Sequence, residues 1–398
     1  MGQPHVDHLA VAGGAARRLR EFAWAAATAG LALAWWALTV HFNYGGHWTA
    51  LFCTGEHFPP PPALAAERIY IFKGSNGFDG QFYHYVAHDP LFRHGLWQHL
   101  DLPAYRARRI LTPGLAWLLA LGQAHWIDAA YRAVTLAWVF LGAWWLGRLA
   151  GRPLGGVGFL LVPAVLVSLD RLTVDIALAA LCVAFAVYAR EGPSWRLYLV
   201  LAAAGLARET GLLLAAAYCA AAALEGQRRR AALFATAALP ALGWFAWVTL
   251  RLPSGPGAAL VSWIPLRGAL LRLAHAPSYA LAWPVAASAH ALDYLAVGGA
   301  LLGVWLAGRL AWRRPLGALE AAALAFALVA VFLAPGDPWE SAYSFGRTLT
   351  PLVLLVALEG IGRGAWAAVA PALMITPRIL LQLAPQALGI ARGLLGVA

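Results

Sequence analysis

Asn76-Gly77-Phe78-Asp79-Gly80-Gln81-Phe82-Tyr83 sets one carboxylate between glycines and aromatic rings. Glycine permits close backbone approach and left-handed dihedrals. A carboxylate at the start of a helix is stabilised in its ionised form, and an ionised carboxylate can take the proton from an attacking hydroxyl. If a helix begins near Gly80, His84 and His88 share one face, and Tyr85 and Asp89 share another. Asp79 is then the candidate catalytic carboxylate and Asp89 the candidate second catalytic acid, with Gln81, Tyr83 and His84 as candidate substrate- or donor-binding groups. The same pattern serves a plain helix cap equally well. His84 and His88 with Asp79 or Asp89 could also hold a metal, although no spacing of the H-E-x-x-H kind is present. Seven of the twelve histidines lie between 41 and 99, which equally fits an aromatic loop at a membrane interface.

Arginine supplies the complementary charge. Arg106, Arg108 and Arg109 crowd the run Tyr105 to Pro113, and Arg347 follows Pro335 to Gly346 at the entrance to an apolar stretch. Arg208 and Glu209 interrupt another apolar stretch. A planar guanidinium matches phosphate oxygens, so Arg106, Arg108, Arg109, Arg208 and Arg347 are candidate phosphate ligands. Anchoring among lipid head groups is the plainer use of the same residues. Asp170, Arg171, Asp175 and Glu320 complete the charges inside or beside apolar stretches. Mutual pairing is the plain reading of each, with Asp175 within i,i+4 reach of Arg171.

These groups need a frame, and composition names its solvent. Of 398 residues, 61% are hydrophobic and only 12% charged, against about 25% charged in ordinary soluble domains. Lipid must therefore surround most of the chain, and the expected fold is an all-α integral membrane protein. About 10–11 transmembrane helices fit, near 22–41, 110–125, 133–147, 153–169, 172–190, 197–224, 231–250, 291–308, 315–334, 348–362 and 365–386. The whole of 1–398 reads as one multi-pass domain, with 42–109 as an external catalytic loop carrying interfacial helices. The net charge of +11 is almost all arginine, Lys73 being the only lysine. That charge is scattered between apolar runs, so nucleic acid is not an expected partner. Cys53, Cys182 and Cys219 have neither disulfide-framework nor zinc spacing.

Arg17, Arg18 and Arg20 precede an uncharged run that contains Trp24, Trp35 and Trp36 and lacks a small-residue cleavage site, so a retained first span is expected. The positive-inside bias places the N-terminus in the cytoplasm and the Asp79 loop outside. The run 197–224, interrupted by Arg208-Glu209, reads as one helix or as two halves, and the choice sets the parity of everything after it. With 197–224 as one span, Arg228–Arg230 and Arg309, Arg313 and Arg314 fall inside. Arg148, Arg152, Arg190 and Arg196 fall outside, against the rule.

Phe78-Asp79-Gly80-Gln81-Phe82-Tyr83, the run Tyr105 to Pro113, Leu206 to Gly211 and Phe345-Gly346-Arg347 together resemble the GT-C superfamily of membrane glycosyltransferases, in a bacterial branch linked to cell-surface glycopolymers. The resemblance implies transfer of a sugar from a polyprenyl-phosphate donor to a glycan or lipid acceptor at the outer face of the bacterial inner membrane. Asp79 would be the general base and the arginines would hold the departing phosphate. It leaves open a divalent metal, Mg or Mn, beside the acid. A multi-pass transporter or lipid flippase is the alternative, with Asp175, Arg208 and Glu209 as coupling groups. It would centre its polar groups at mid-membrane, whereas a transferase would centre them near Asp79.

Overall fold

The computed structural model describes residues 5–253, 261–312 and 316–396, with side chains from Arg17 onward. The chain is nearly all helix. Helix α1 spans His5–Asn43. The loop after it carries two short parallel strands, β1 (Thr54–Gly55) and β2 (Ile71–Phe72), then α2 (Asp79–His88) and α3 (Pro103–Ala107). Next come α4 (Leu111–Leu119), α5 (Ala124–Leu149), α6 (Pro163–Arg171), α7 (Asp175–Glu191), α8 (Trp195–Ala207) and α9 (Leu212–Leu224). Helices α10 (Arg228–Ala235) and α11 (Leu239–Arg251) run on as one rod, followed by α12 (Arg267–Ala274) and α13 (Trp283–Ala311). The chain continues through α14 (Ala318–Val331), α15 (Asp337–Glu340), α16 (Ala342–Gly362), α17 (Ala370–Gln382) and α18 (Ala384–Leu395).

Among the described residues, five helices are long and apolar enough to cross a membrane, or seven if two bent pairs each count as one span. α8, α9 and α14 are shorter apolar helices. Side chains such as Leu31, Leu199, Leu233, Trp305 and Leu328 are more than half exposed. An apolar outer surface of this kind is what lipid, not water, covers. α7 and α16 form the axis of the bundle: every residue of α7 from Ile176 to Tyr188 is buried, as is α16 from Leu349 to Gly360. Small residues bring the helices this close. At Gly142, a Cβ would come within 2.3 Å of the Phe159 ring, and at Gly211 within 1.9 Å of the Ala204 carbonyl oxygen.

Charge sorts to the two ends of this axis. Asp175 opens α7 and Arg190 and Glu191 close it; at 1.5 Å per residue its 17 residues set them about 25 Å apart. α16 repeats the pattern, with Arg347 near its start and Glu359 near its end. At the far end Arg190 pairs with Glu359 at 2.8 Å, Arg148 with Glu191 at 2.7 Å, and Arg363 with Glu320. A cavity of about 310 Å³ opens there, lined by Arg190, Tyr218, Arg230, Glu320 and Glu359. The distance between the polar ends is comparable to the hydrocarbon thickness of a bilayer.

Two expected spans take a different form. The run 110–125 is not a crossing: α4 is nine residues long and stops at a turn where Leu121 and Gly122 both have positive φ. α5 then starts beside the loop at Asp128, which touches His84. The run 197–224 is two helices. The chain is extended at Arg208 (φ −161°, ψ 145°), and α9 returns alongside α8, so that Tyr198 and Tyr218 both meet Phe234. Losing one crossing and gaining another puts Arg148, Arg152, Arg190 and Arg196 at the same end as Arg17, together with Arg228–Arg230. Arg313 and Arg314, residues 254–260 of the loop 251–290, and the start of the span 315–334 lie outside the described residues.

Candidate functional site

Asp79 is the first residue of α2. Phe78 takes the cap position without a side-chain cap bond, so Asp79 is not a helix cap. The glycines around it are dictated by contact. Gly77 has φ +70°, and a Cβ there would lie 2.5 Å from the Cys53 carbonyl oxygen. A Cβ on Gly80 would lie 1.9 Å from the Arg171 carbonyl oxygen and 2.8 Å from that of Phe52. The start of α2 is thus pressed onto the end of α6. Gly80→Ala is expected to push α2 off that seat and to lower both the yield of monodisperse protein and its unfolding temperature. A variant with an unchanged melting curve would contradict the packing.

The Asp79 carboxylate faces inward. Its Oδ2 lies 2.9 Å from Arg106 Nη1 and 2.5 Å from Arg347 Nη1, and its side chain is only 14% exposed. Both guanidiniums thus sit within ion-pair distance of the same oxygen. Arg106 is forked on Asp101, at 2.8 Å from Nε and 2.6 Å from Nη2. Arg347 also lies 3.5 Å from Asp175, which holds Arg208 at 2.5 Å. Arg109 donates twice to Glu209, at 3.0 and 2.6 Å, and once to the Tyr83 hydroxyl at 2.9 Å. Burial alone would raise the pKa of Asp79, but Arg106 and Arg347 outweigh it and hold the acid well below the usual carboxylate range.

Four segments distant in sequence therefore meet at one end of the bundle. Asp79, Arg106, Arg109, Arg208 and Arg347 join a single network with Asp101, Asp175 and Glu209. Asp175, Arg208 and Glu209 stand at helix ends in this network, not midway along a span. Asp175 does not pair with Arg171, because Leu172 breaks the chain between α6 and α7 with φ +43°. Arg171 pairs instead with Asp170 at 2.8 Å. Arg208 Nε and Arg347 Nε are buried without a hydrogen-bond partner. Arg108 forms no ion pair among the described residues; it reaches Thr249 at 3.3 Å and lies over the Phe245 ring.

Other singled-out residues are placed elsewhere or are spoken for. Asp89 caps the opposite end of α2, about 15 Å along the helix from Asp79. Its two oxygens accept from the backbone amides of Arg93 and His94, each at 2.8 Å. Gln81 accepts from the Gly55 amide and donates to the Asn76 carbonyl, fastening the loop. Tyr83 is fully buried beneath Arg109. His84 turns away from the arginines, stacks on Phe52 and bonds Asp128 at 2.7 Å. Burial opposes its charge, but Asp128 and Glu67 outweigh that and raise its pKa to about 9. His88 shares the same two acids, so the carboxylates beside the histidine pair are Glu67 and Asp128, not Asp79 or Asp89. Asp101, Glu67 and Asp128 carry no local sequence signal beyond their charge.

The surroundings of Asp79 do not fit a divalent cation, since two guanidinium groups already crowd its oxygen and would repel one. No protein-family model matches this chain, and neither does any curated protein or solved structure.

Proposed function

We propose that the chain is an integral membrane glycosyltransferase of the GT-C type, taking a sugar from a polyprenyl-phosphate donor at the outer face of the bacterial inner membrane. The observation that carries this reading is the carboxylate of Asp79 held against Arg106 and Arg347 at one end of an apolar bundle. An acid and a cluster of phosphate-binding side chains within one contact of each other is what sugar transfer from a lipid phosphate requires. With the arginine-rich end of the bundle inside, all of Arg148, Arg152, Arg190 and Arg196 obey the positive-inside rule, and Asp79 lies outside.

The tight ion pairs define the order of events. While both arginines face it, Asp79 is a weak base. A donor phosphodiester brings a negative charge and competes for Arg106 and Arg347, whose neighbour Arg108 has no acid to leave. As the guanidiniums turn to phosphate, Asp79 loses its counter-charge and its basicity rises. The acceptor hydroxyl then gives its proton to Asp79 as its oxygen attacks the anomeric carbon. The carbon–oxygen bond to phosphate breaks, and the lipid phosphate leaves with the bonding pair into the guanidinium cluster.

The direct test uses purified protein in vesicles with a panel of radiolabelled polyprenyl-phosphate sugars. One donor should be consumed with release of polyprenyl phosphate, and inertness toward every donor and acceptor tried would count against the reading. Arg347→Gln should raise the KM for donor roughly 10- to 100-fold, on the scale of a charge-assisted contact, and leave the acceptor KM nearly unchanged. The reverse order would remove Arg347 from the phosphate site. Topology is tested in a chain freed of its own cysteines: Ser75→Cys should react with an impermeant maleimide in intact cells, and Arg196→Cys only after lysis. Reaction of both from outside would undo the two-ended arrangement.

The transporter reading is weakened by the place of Asp175, Arg208 and Glu209, which share the network of Asp79. A proteoliposome flux or lipid-flip assay on the same preparation separates the two readings.

A further inference from the structure

On the side of α2 turned away from the arginines, Glu67, His84, His88 and Asp128 converge from three parts of the chain. Glu67 ends the 3₁₀ turn Pro62–Glu67, the histidines lie one turn apart on α2, and Asp128 lies in the first turns of α5. One ligand atom from each lies within 4.8 Å of all the others. His84 Nε2 is 3.3 Å from Glu67 Oε2, and His88 Nε2 is 3.2 Å from Glu67 Oε1 and 3.6 Å from Asp128 Oδ1. A tetrahedral ion with bonds of 2.0–2.1 Å separates its ligand atoms by about 3.3 Å. The contacts of 3.2, 3.3 and 3.6 Å lie close to that spacing; the 2.7 Å hydrogen bond between His84 and Asp128 is well short of it and must open to admit an ion.

Two further facts point inward. The side chain of His88 is 3% exposed, and its Nε2, which faces both acids, has no aligned hydrogen-bond partner. Glu67 Oε2 is buried in the same condition. A buried polar atom without a partner is costly, and a cation would satisfy both. Arg132, one turn beyond Asp128, lies over the Trp48 ring and forms no ion pair among the described residues. The cluster therefore keeps two carboxylates for two imidazoles.

We propose that Glu67, His84, His88 and Asp128 bind one divalent first-row transition-metal ion, of which zinc fits best, as a structural clasp. Two imidazoles and two carboxylates suit zinc, manganese or iron(II), and four protein ligands close the shell in the manner of a structural site. The ion ties the loop at Glu67 and the body of α2 to α5, and so fixes the helix whose first residue is Asp79. This site does not rest on the transferase reading, and its test needs no transfer assay.

Protein purified through a tag without histidines, and without chelator, is measured by elemental mass spectrometry. Close to one transition-metal ion per chain is expected, falling to background in Glu67→Gln/His88→Ala. Chelation should lower the unfolding temperature of the wild-type protein, zinc should restore it, and the double variant should respond to neither. Because the variant could fail to fold, cobalt(II) is also added to metal-stripped wild-type protein. Intense visible ligand-field bands of tetrahedral cobalt support the site. Background metal in the wild-type protein together with no zinc-dependent stabilisation overturns it, as does the absence of those bands.

Discussion

If the chain is the transferase proposed above, Asp79→Asn is expected to lower sugar transfer roughly 10²- to 10⁴-fold, the range for removing a positioned general base. The same change leaves two guanidiniums facing a neutral amide. Breaking a buried ion pair on one side costs about 3–5 kcal/mol, so the single variant also melts earlier. Loss of the catalyst and loss of the fold are separated by Asp79→Asn/Arg347→Gln, which removes one of the stranded charges. The double variant should recover part of the lost unfolding temperature and none of the transfer. Recovered transfer would mean that Asp79 serves only to hold Arg347. The acid limb carries the same signature. The folded pKa of Asp79 lies below its unfolded value near 3.9. The unfolded state therefore binds the extra proton, and the contribution is complete above about pH 5 and is lost as pH falls through that range. Stability against pH below 5 should be flatter in Asp79→Asn than in the wild-type protein.

Arg109→Ala is expected to destabilise the protein by about 2–4 kcal/mol, since it leaves Glu209 charged without its partner, a cost of about 3–5 kcal/mol for a fully buried pair that is reduced here because Glu209 is 28% exposed. Arg109 is only 1% exposed, makes a two-pronged bond to Glu209 and lies 4.1 Å over the Tyr105 ring. Lysine cannot reproduce two parallel bonds and a flat contact at once, so Arg109→Lys should recover little. Replacing both partners, Arg109→Met/Glu209→Gln, should lose less than Arg109→Ala alone. The measurement is thermal unfolding in one detergent. A wild-type melting point for Arg109→Ala would mean that this pair is open to water and contributes no more than a surface bridge.

Parts of this architecture were legible in the residue types. Glycines on both sides of Asp79 signalled close backbone contact, and Gly77 and Gly80 do meet the Cys53 and Arg171 carbonyl oxygens. Arginines at the mouths of apolar runs signalled a shared charged site, and Arg106, Arg109, Arg208 and Arg347 do converge, on Asp79, Asp175 and Glu209. Continuous hydrophobicity was the weaker guide. It joined Leu111–Leu119 to the residues beyond, because a turn made by Leu121 and Gly122 leaves little mark on an apolar average. At Arg208-Glu209 it left one helix or two halves open, and the extended backbone at Arg208 makes it two. The partners Asp101, Glu67 and Asp128 were invisible for a different reason: a lone acid reveals its partner only through tertiary contact. The parity of crossings depends on both places, since the turn at Leu121–Gly122 and the reversal at Arg208 cancel for every arginine after them and move only those between.

The network around Asp79 draws its members from residues as far apart as Asp79 and Arg347, and ribosomes make chains from the N-terminus. Asp79 is delivered to the membrane early, whereas Arg347 arrives only after some 270 further residues have been translated. A partly synthesised chain thus holds its carboxylate with half of its cationic clamp missing. The Asp79–Arg347 pair can form only once α16 is in place, so that any product truncated before α16 carries Asp79 without this partner.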